Sequence, residues 1–155
     1  MIVFIDSGVL GILANPNKVG EISDCEQWLY RLLSQGAYIC SSDLCDYEVR
    51  RNLILETNKK PHLNSINNLD ELRELITFLP VSASLLTQAA SLWAKARVQG
   101  MPTADDKNLD VDIIICTQWQ MLKEEFPSRY IVMATTNVKH LSRFAVALSW
   151  RDIKL

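Results

Sequence analysis

Apolar and polar positions alternate along the chain in blocks that predict strands and helices in turn. Short apolar runs predict strands at residues 2–5, 37–40, 78–81, 130–134 and 147–150. Longer stretches with apolar residues every three or four positions predict helices at residues 8–14, 22–33, 44–55, 64–76, 85–98, 109–126 and 138–144. Because strands and helices alternate throughout, the sequence predicts one α/β domain over residues 1–155, with a parallel sheet.

The first predicted strand ends in an acidic residue. The apolar run at residues 1–5 is typical of a strand buried on both faces, and Asp6 follows it directly. In parallel sheets, ligands bind just beyond the carboxyl ends of the strands. Asp6 is therefore a candidate functional residue. The alternative is that it only caps the helix that follows.

Other polar side chains are expected at the same edge of the sheet. Glu48 lies one turn into the helix after the second strand. Asp110 and Asp112 open the most apolar helix, and Thr136 and Asn137 follow the fourth strand. Elements that follow parallel strands all begin at one edge, so these side chains should converge on the acid that ends the first strand.

Each of these residues also has a purely structural explanation. Asp110 and Asp112 suit the first turn of a helix, where the macrodipole favours acids. Glu48 suits an exposed helix face, paired with Arg51 or Asn52, and Asn137 suits a helix N-cap. Residues 103–108 are expected to form a solvated polar loop. Only the joint placement of the acids favours a functional site.

The chemistry of such a cluster points to a hard divalent cation. Three or four carboxyl and amide oxygens in a small volume are the ligands that Mg²⁺ and Mn²⁺ prefer. Two unit charges 4 Å apart repel by about 4 kcal/mol at an effective dielectric constant near 20, so the cluster needs a counter-charge. A cation there could hold a phosphate oxygen and activate a water molecule for in-line attack.

Composition narrows the class of protein. The chain is 48% apolar and 22% charged, which is typical of a soluble globular protein. No apolar stretch approaches 18 residues and no signal peptide is recognisable, so we expect no membrane span and a cytoplasmic location. The net charge of −2 argues against nucleic-acid binding through bulk positive charge. The four Cys and two His lack the spacing of a zinc site.

Taken in chain order, four motifs resemble those of the PIN-domain nucleases, especially the toxin-like (VapC-type) group that pairs with antitoxins. The motifs are Ile5-Asp6-Ser7, Leu44-Cys-Asp-Tyr-Glu48-Val-Arg50-Arg51, Asp112-Ile-Ile-Ile-Cys-Thr and Thr135-Thr136-Asn137-Val-Lys-His140-Leu141. The chain departs from the family in having Cys116-Thr117 where Ala-Ala is frequent. It also has Asn137 where many members carry a fourth acid.

This resemblance implies a fold and an activity. The fold is a three-layer α/β/α PIN-like domain with a central, mostly parallel sheet in the order 3-2-1-4-5. The activity is that of a metal-dependent endoribonuclease. In this interpretation Asp6, Glu48 and Asp112 hold one Mg²⁺ or Mn²⁺, directly or through water, and Asp110 tunes the site from a second ligand position.

Further roles follow from the same resemblance. Ser7, Thr136 and Asn137 would orient water or phosphate through hydrogen bonds. Arg50 and Arg51 would contact the RNA backbone, and the alternative for both is a solvated helix face. RNA is then the substrate and an antitoxin protein is the partner.

The sequence also predicts self-association. The helices at residues 22–33 and 44–55 carry more apolar side chains than one face need bury, namely Trp28, Leu29, Leu53 and Leu55. We therefore expect a homodimer with two-fold symmetry.

Two alternatives to the nuclease remain at this stage. A PIN-like module could bind RNA or a protein without turnover. A phosphatase of the haloacid dehalogenase kind is disfavoured, because it needs a second acid two residues after the strand Asp and position 8 is Gly.

Overall fold

The computed structural model describes residues 1–59, 64–101 and 110–155, and within these ranges strands and helices alternate as predicted. The polar loop expected at residues 103–108 lies outside the described residues. The strands are β1 (Ile2–Ile5), β2 (Tyr38–Ser42), β3 (Thr77–Leu79), β4 (Ile131–Thr135) and β5 (Ala147–Ser149). The helices are α1 (Ser7–Ala14), α2 (Glu21–Ser34), α3 (Asp43–Lys59), α4 (Ser65–Leu75), α5 (Ala83–Val98), α6 (Val111–Glu125) and α7 (Val138–Leu141), and Trp150–Asp152 form a turn of 3₁₀ helix.

The described strands form one parallel sheet in the order β3-β2-β1-β4-β5, which confirms the order that the resemblance implied. Helices cover both faces, so the fold has three layers. The central strand is β1, whose Phe4 aligns with Cys40 of β2 and Met133 of β4. All four β1 side chains are buried, which explains why this strand is a continuous apolar run.

The edge strand β3 is three residues long and is followed at once by Pro80. A proline lacks a backbone donor, so it is tolerated at a sheet edge and not at the centre. The strand predicted at residues 78–81 is confirmed, although it begins at Thr77 and ends at Leu79.

The apolar face of α2 is buried within the chain. Trp28 and Leu29 are 5% and 1% exposed. The Trp28 indole packs 5.8 Å from the Trp150 ring, and its Nε1 donates to the carbonyl oxygen of Ile153 at 3.1 Å. These two side chains therefore leave no apolar surface for a second subunit, and that part of the reasoning for a homodimer is wrong.

Of the two helices on which the homodimer prediction rests, α3 is the one that exposes aliphatic side chains. Tyr47, Ile54 and Leu55 are 56%, 47% and 55% exposed, whereas Leu53 packs partly against the core. None of the described helices is both long and apolar enough to cross a membrane.

Candidate active site

The carboxyl ends of β1 and β4 lie side by side and position the first acid. Ile5 aligns with Ala134 in the sheet, and the Asp6 backbone N–H donates to the Ala134 carbonyl oxygen at 3.1 Å. The next residue of β4 is Thr135, and its hydroxyl donates to Asp6 Oδ2. Parallel pairing therefore holds Asp6 at the edge of the sheet where the candidate site was predicted.

Asp6 is both a helix cap and a member of the site. Its Oδ1 accepts a hydrogen bond from the Val9 backbone N–H at 2.9 Å, which caps α1. The residue is only 6% exposed. Burial raises the pKa of Asp6 and the negative charge of Asp112 raises it further, although hydrogen bonds from Thr135 and Val9 act in the opposite direction.

Glu48 reaches the first turn of α1 from α3. Its Oε2 accepts a hydrogen bond from the Ser7 hydroxyl at 2.6 Å. Its Oε1 lies 3.8 Å from an Arg51 nitrogen, three residues further along the same helix. The structural explanation of Glu48 as a partner of Arg51 is therefore correct, but the contact with Ser7 also brings the carboxylate to the residue that follows Asp6.

Helix α6 begins between its two acids, which brings both to the site. Asp110 is the N-cap, and its Oδ1 accepts a hydrogen bond from the Ile113 backbone N–H at 3.1 Å. Asp112 lies in the first turn. Burial raises the pKa of Asp112, the charges of Asp110 and Glu48 raise it further, and His140 lowers it. Because the negative charge of Asp112 also raises the pKa of Asp6, Asp112 repels each of the other three acids.

Asp112 has one further neighbour, His140. Its Nε2 lies 3.1 Å from Asp112 Oδ2, which is an ion pair whenever the imidazole is protonated. The two atoms are close but are not aligned as a hydrogen bond, so Nε2 has no hydrogen-bond partner among the described residues. The 3.1 Å separation from Asp112 makes His140 part of the site.

The segment after β4 completes the edge. The Thr135 hydroxyl also accepts a hydrogen bond from the Asn137 backbone N–H at 2.8 Å. Thr136 Oγ1 faces the first turn of α1, where it would lie 2.2 Å from a Cβ placed on Gly8. Asn137 precedes α7, and within the described part of the chain its side chain makes no capping hydrogen bond. The Thr136 hydroxyl and the Asn137 backbone N–H therefore both lie near Asp6.

The two arginines after Glu48 have different surroundings. Arg50 donates to Asp46 at 2.8 and 3.0 Å and to Asp70 of α4 at 2.8 Å. These hydrogen bonds, with that of Asp46 foremost, raise the pKa of Arg50. Arg51 is half exposed, and its guanidinium lies 5.4 Å from the centre of the Tyr47 ring. Arg51 is thus the more available of the two for an external anion.

Arg50 belongs to an ion-pair network that joins α3 to α4. Arg73 of α4 lies 2.9 Å from Asp43 and 3.3 Å from Asp46. Burial alone would raise the pKa of Asp46, but hydrogen bonds and charge from Arg50 and Arg73 more than offset this and lower it. The network fixes the helix that carries Glu48.

Thr135 and His140 were given no role by sequence reasoning. Thr135 carries a local signal, because a hydroxyl at the last position of a buried strand needs a polar partner. His140 carries none, since its partner Asp112 lies 28 positions earlier on a different helix.

The cysteines near the site are inert. All four are free and buried. Burial raises the pKa of Cys45 to about 12, and hydrogen bonds from Ser7 and Ser41 only partly oppose this. Burial likewise raises the pKa of Cys116, and the charges of Asp112, Asp110 and Asp6 raise it further. These thiols are therefore neutral packing groups beneath the acids.

The acids fit a divalent cation in chemical type. All four are hard oxygen donors. A cation would offset the burial of negative charge and the repulsion between the acids, which together raise the pKa values of Asp6 and Asp112. No three His, Cys, Asp or Glu side chains are grouped to hold a metal ion within residues 1–59, 64–101 and 110–155. Each acid is engaged by a partner of its own, so binding a cation requires some of these side chains to turn.

Two solved structures are similar to this chain over nearly its whole length. VapBC-1 from nontypeable Haemophilus influenzae is 18% identical, with a TM-score of 0.67, over 98% of this chain and 100% of the matched chain. VapBC2 from Rickettsia felis, solved bound to a DNA fragment from their promoter, is 17% identical, with a TM-score of 0.69, over 97% and 99% of the two chains. No protein-family model and no curated protein matches the chain. The three-layer PIN fold that four sequence motifs implied is confirmed.

Proposed function

We propose that the chain is a metal-dependent endoribonuclease that acts as the toxin of a toxin–antitoxin pair. The observation that carries the proposal is the position of Asp6 and Asp112, two acids at one edge of the sheet whose pKa values are raised by burial and by nearby negative charge. Such an arrangement does not favour folding, and perturbed acids in one place are characteristic of functional sites.

In this proposal each acid has a different role in binding one Mg²⁺ or Mn²⁺. Asp6 is the most rigid, because the Val9 N–H and the Thr135 hydroxyl fix both of its oxygens. Asp112 faces it from α6, Glu48 is oriented by Ser7, and Asp110 adds charge from the N-cap. When bound, the cation neutralises charge on the phosphodiester and lowers the pKa of a water molecule.

Neutral donors and one cation complete the proposed substrate site. Ser7, Thr136 and Asn137 would orient the attacking water or a phosphate oxygen through hydrogen bonds. Arg51 would contact the RNA backbone, where each neutralised phosphate contributes to affinity in a salt-dependent manner. Arg50, which the sequence also suggested for this role, is engaged by Asp46 and Asp70 and would contribute less.

A groove between α1, α2 and α4 supports the presence of a protein partner. Its volume is about 280 Å³. The floor is apolar and the rim carries more acids than bases, with lining residues Leu13, Leu72, Leu75, Glu26, Glu71, Glu74, Lys18, Tyr30 and Asn68. Such a groove suits a basic amphipathic segment of an antitoxin. We propose in addition that the protein is a cytoplasmic homodimer.

A second candidate function is a PIN-like module that binds RNA or protein without turnover. It is favoured by one observation, that the described residues contain no preassembled group of three metal ligands. The two candidates differ in whether RNA is cleaved.

A cleavage screen distinguishes them. Total RNA is incubated with the native chain and Mn²⁺, and with Asp6→Asn as the matched control, and the new ends are mapped. The nuclease predicts ends at defined sites that appear with the native chain, disappear with EDTA and are absent with Asp6→Asn. Binding without new ends would favour the non-cleaving module.

A further inference from the structure

His140 contacts the carboxylate that is coupled to every other acid of the candidate site. Asp112 responds to the charges of Asp110 and Glu48, and Asp6 responds to Asp112. His140 lies on α7, the short helix that follows β4, and its backbone N–H donates to the Asn137 carbonyl oxygen at 3.2 Å. The imidazole thus spans from the end of β4 to the first turn of α6.

The contact occupies one oxygen of Asp112. Nε2 of His140 is 3.1 Å from Oδ2 and is shut off from solvent. A cation bound at that oxygen would lie against the imidazole ring, so the imidazole and the cation compete for Oδ2.

This pair is also less tightly held than Asp6. The side chains of Asp112 and His140 are 35% and 26% exposed, whereas Asp6 is 6% exposed and has hydrogen bonds to both oxygens. Among the residues that the structure describes, turning Asp112 away from His140 breaks no aligned hydrogen bond. Turning Asp6 would break two.

We propose that His140 is a positioning residue that holds Asp112 in the cation-free chain, and that Mg²⁺ or Mn²⁺ displaces it when Asp112 turns to the metal. The proposal rests on the metal site put forward above and adds to it an internal competitor that sets how tightly the cation is held. It gives His140 a role that none of the four sequence motifs assigns.

The first test is the Mn²⁺ affinity of His140→Phe, which keeps a ring but removes both nitrogens. Calorimetric titration without RNA should give a Kd about two- to fivefold lower than that of the native chain, the range expected for loss of a partly exposed ion pair. Lys139→Ala removes a neighbouring positive charge from the same helix and is the matched control. Its Kd should change less than that of His140→Phe.

The second test follows the imidazole itself in the native chain. On titration with Mg²⁺, the ring resonances of His140, distinguished from those of His62 with a His62→Gln variant, should shift with the same midpoint as cation binding. Resonances that stay fixed while Mg²⁺ binds, or a Kd that is unchanged or higher in His140→Phe, would overturn the role of His140 and leave the metal site standing. A native chain that binds neither cation would overturn both.

Discussion

A Cβ on Gly8 would lie 2.2 Å from Thr136 Oγ1, a separation that real Cβ atoms essentially never show, and 3.3 Å from Thr136 Cβ. The first turn of α1 and the segment after β4 therefore touch at a place where only glycine fits. Asp6 lies at the same contact, since its Oδ1 would be 3.4 Å from that Cβ. Gly8, which disfavours phosphatase chemistry because that chemistry needs an acid at this position, is thus required by the packing of the candidate site.

The first prediction concerns this contact. Gly8→Ala forces Thr136 or α1 to move, so we expect the free energy of unfolding to fall by about 1–3 kcal/mol. Gly11→Ala is the matched control, because it lies in the same helix and its Cβ meets nothing within 4 Å. That control should be neutral or stabilising by up to about 1 kcal/mol. Urea denaturation of both variants measures the difference, and equal stabilities would contradict the packing argument.

The second prediction concerns pH and Asp112. Its folded pKa is raised, so between the unfolded value of about 3.9 and the folded value the folded chain binds more protons, and stability falls as pH rises. Asp112→Asn cannot ionise at this position, so its stability does not fall in this way as pH rises. Measured in EDTA, the variant should melt higher than the native chain at neutral pH, and the difference should shrink below the unfolded pKa. Asp152→Asn, at an exposed acid, should show no such pattern.

The same variant should change the response to a cation. A ligand that binds only the folded chain stabilises it by about 2.7 kcal/mol at a hundredfold excess over Kd. We expect Mn²⁺ to raise the melting temperature of the native chain and to have no effect on Asp112→Asn. If millimolar Mn²⁺ does not change the melting temperature of the native chain, the result would argue against the carboxylate cluster.

The third prediction concerns Asp46, where the sign is opposite. Its folded pKa is lowered, so its contribution to stability is complete above the unfolded value and is lost as pH falls through the folded value. Asp46→Asn leaves Arg50 and Arg73 without their shared partner and should cost about 1–3 kcal/mol at neutral pH. The cost should disappear in acid. Asp70→Asn, at an exposed side chain with one bond to Arg50, should cost less than Asp46→Asn.

The fourth prediction concerns assembly. Light scattering should give a mass of about twice 17.6 kDa if the exposed apolar residues of α3 form a two-fold interface. Ile54→Glu with Leu55→Glu should then give a monomer. Val98→Glu, on α5 and 89% exposed, should leave the dimer intact. A native mass of 17.6 kDa at every concentration would contradict the homodimer.

Much of the fold follows from local pattern. The apolar run before Asp6 and the alternation of elements were enough to predict a parallel sheet, and the motifs implied its order. The start of α6 between Asp110 and Asp112 follows from cap chemistry, which is local. The Asp46–Arg50 ion pair could also be predicted, because its i, i+4 spacing is local to one helix. The contact of Asp46 with Arg73, which joins α3 to α4, could not be predicted from spacing.

The contacts that sequence reasoning missed are those between distant segments. The burial of Trp28 depends on Trp150 and Ile153, more than 120 positions away, so α2 seemed to carry spare apolar surface. The bond from Thr135 to Asp6 and the contact of His140 with Asp112 depend on strand register and on the angle of α7. No periodicity within either segment encodes them.

The candidate site also resolves alternatives that sequence reasoning set against each other. Asp6 and Asp110 cap helices and belong to the acid cluster, and Glu48 pairs with Arg51 and contacts Ser7. A structural role therefore does not exclude a functional one at any of these positions. Only a measurement of chemistry separates them.

That measurement is the rate of Mn²⁺-dependent cleavage of one single-stranded RNA by the native chain and by single variants of the four acids. Loss of a direct metal ligand should exceed the 10- to 100-fold cost of losing an outer neighbour, so Asp6→Asn and Asp112→Asn should each fall by more than about 100-fold. Glu48→Gln should cost somewhat less, and Asp110→Asn, which keeps the helix cap, should cost least. If Asp6→Asn cleaves as fast as the native chain, the nuclease assignment is wrong and the non-cleaving module takes its place.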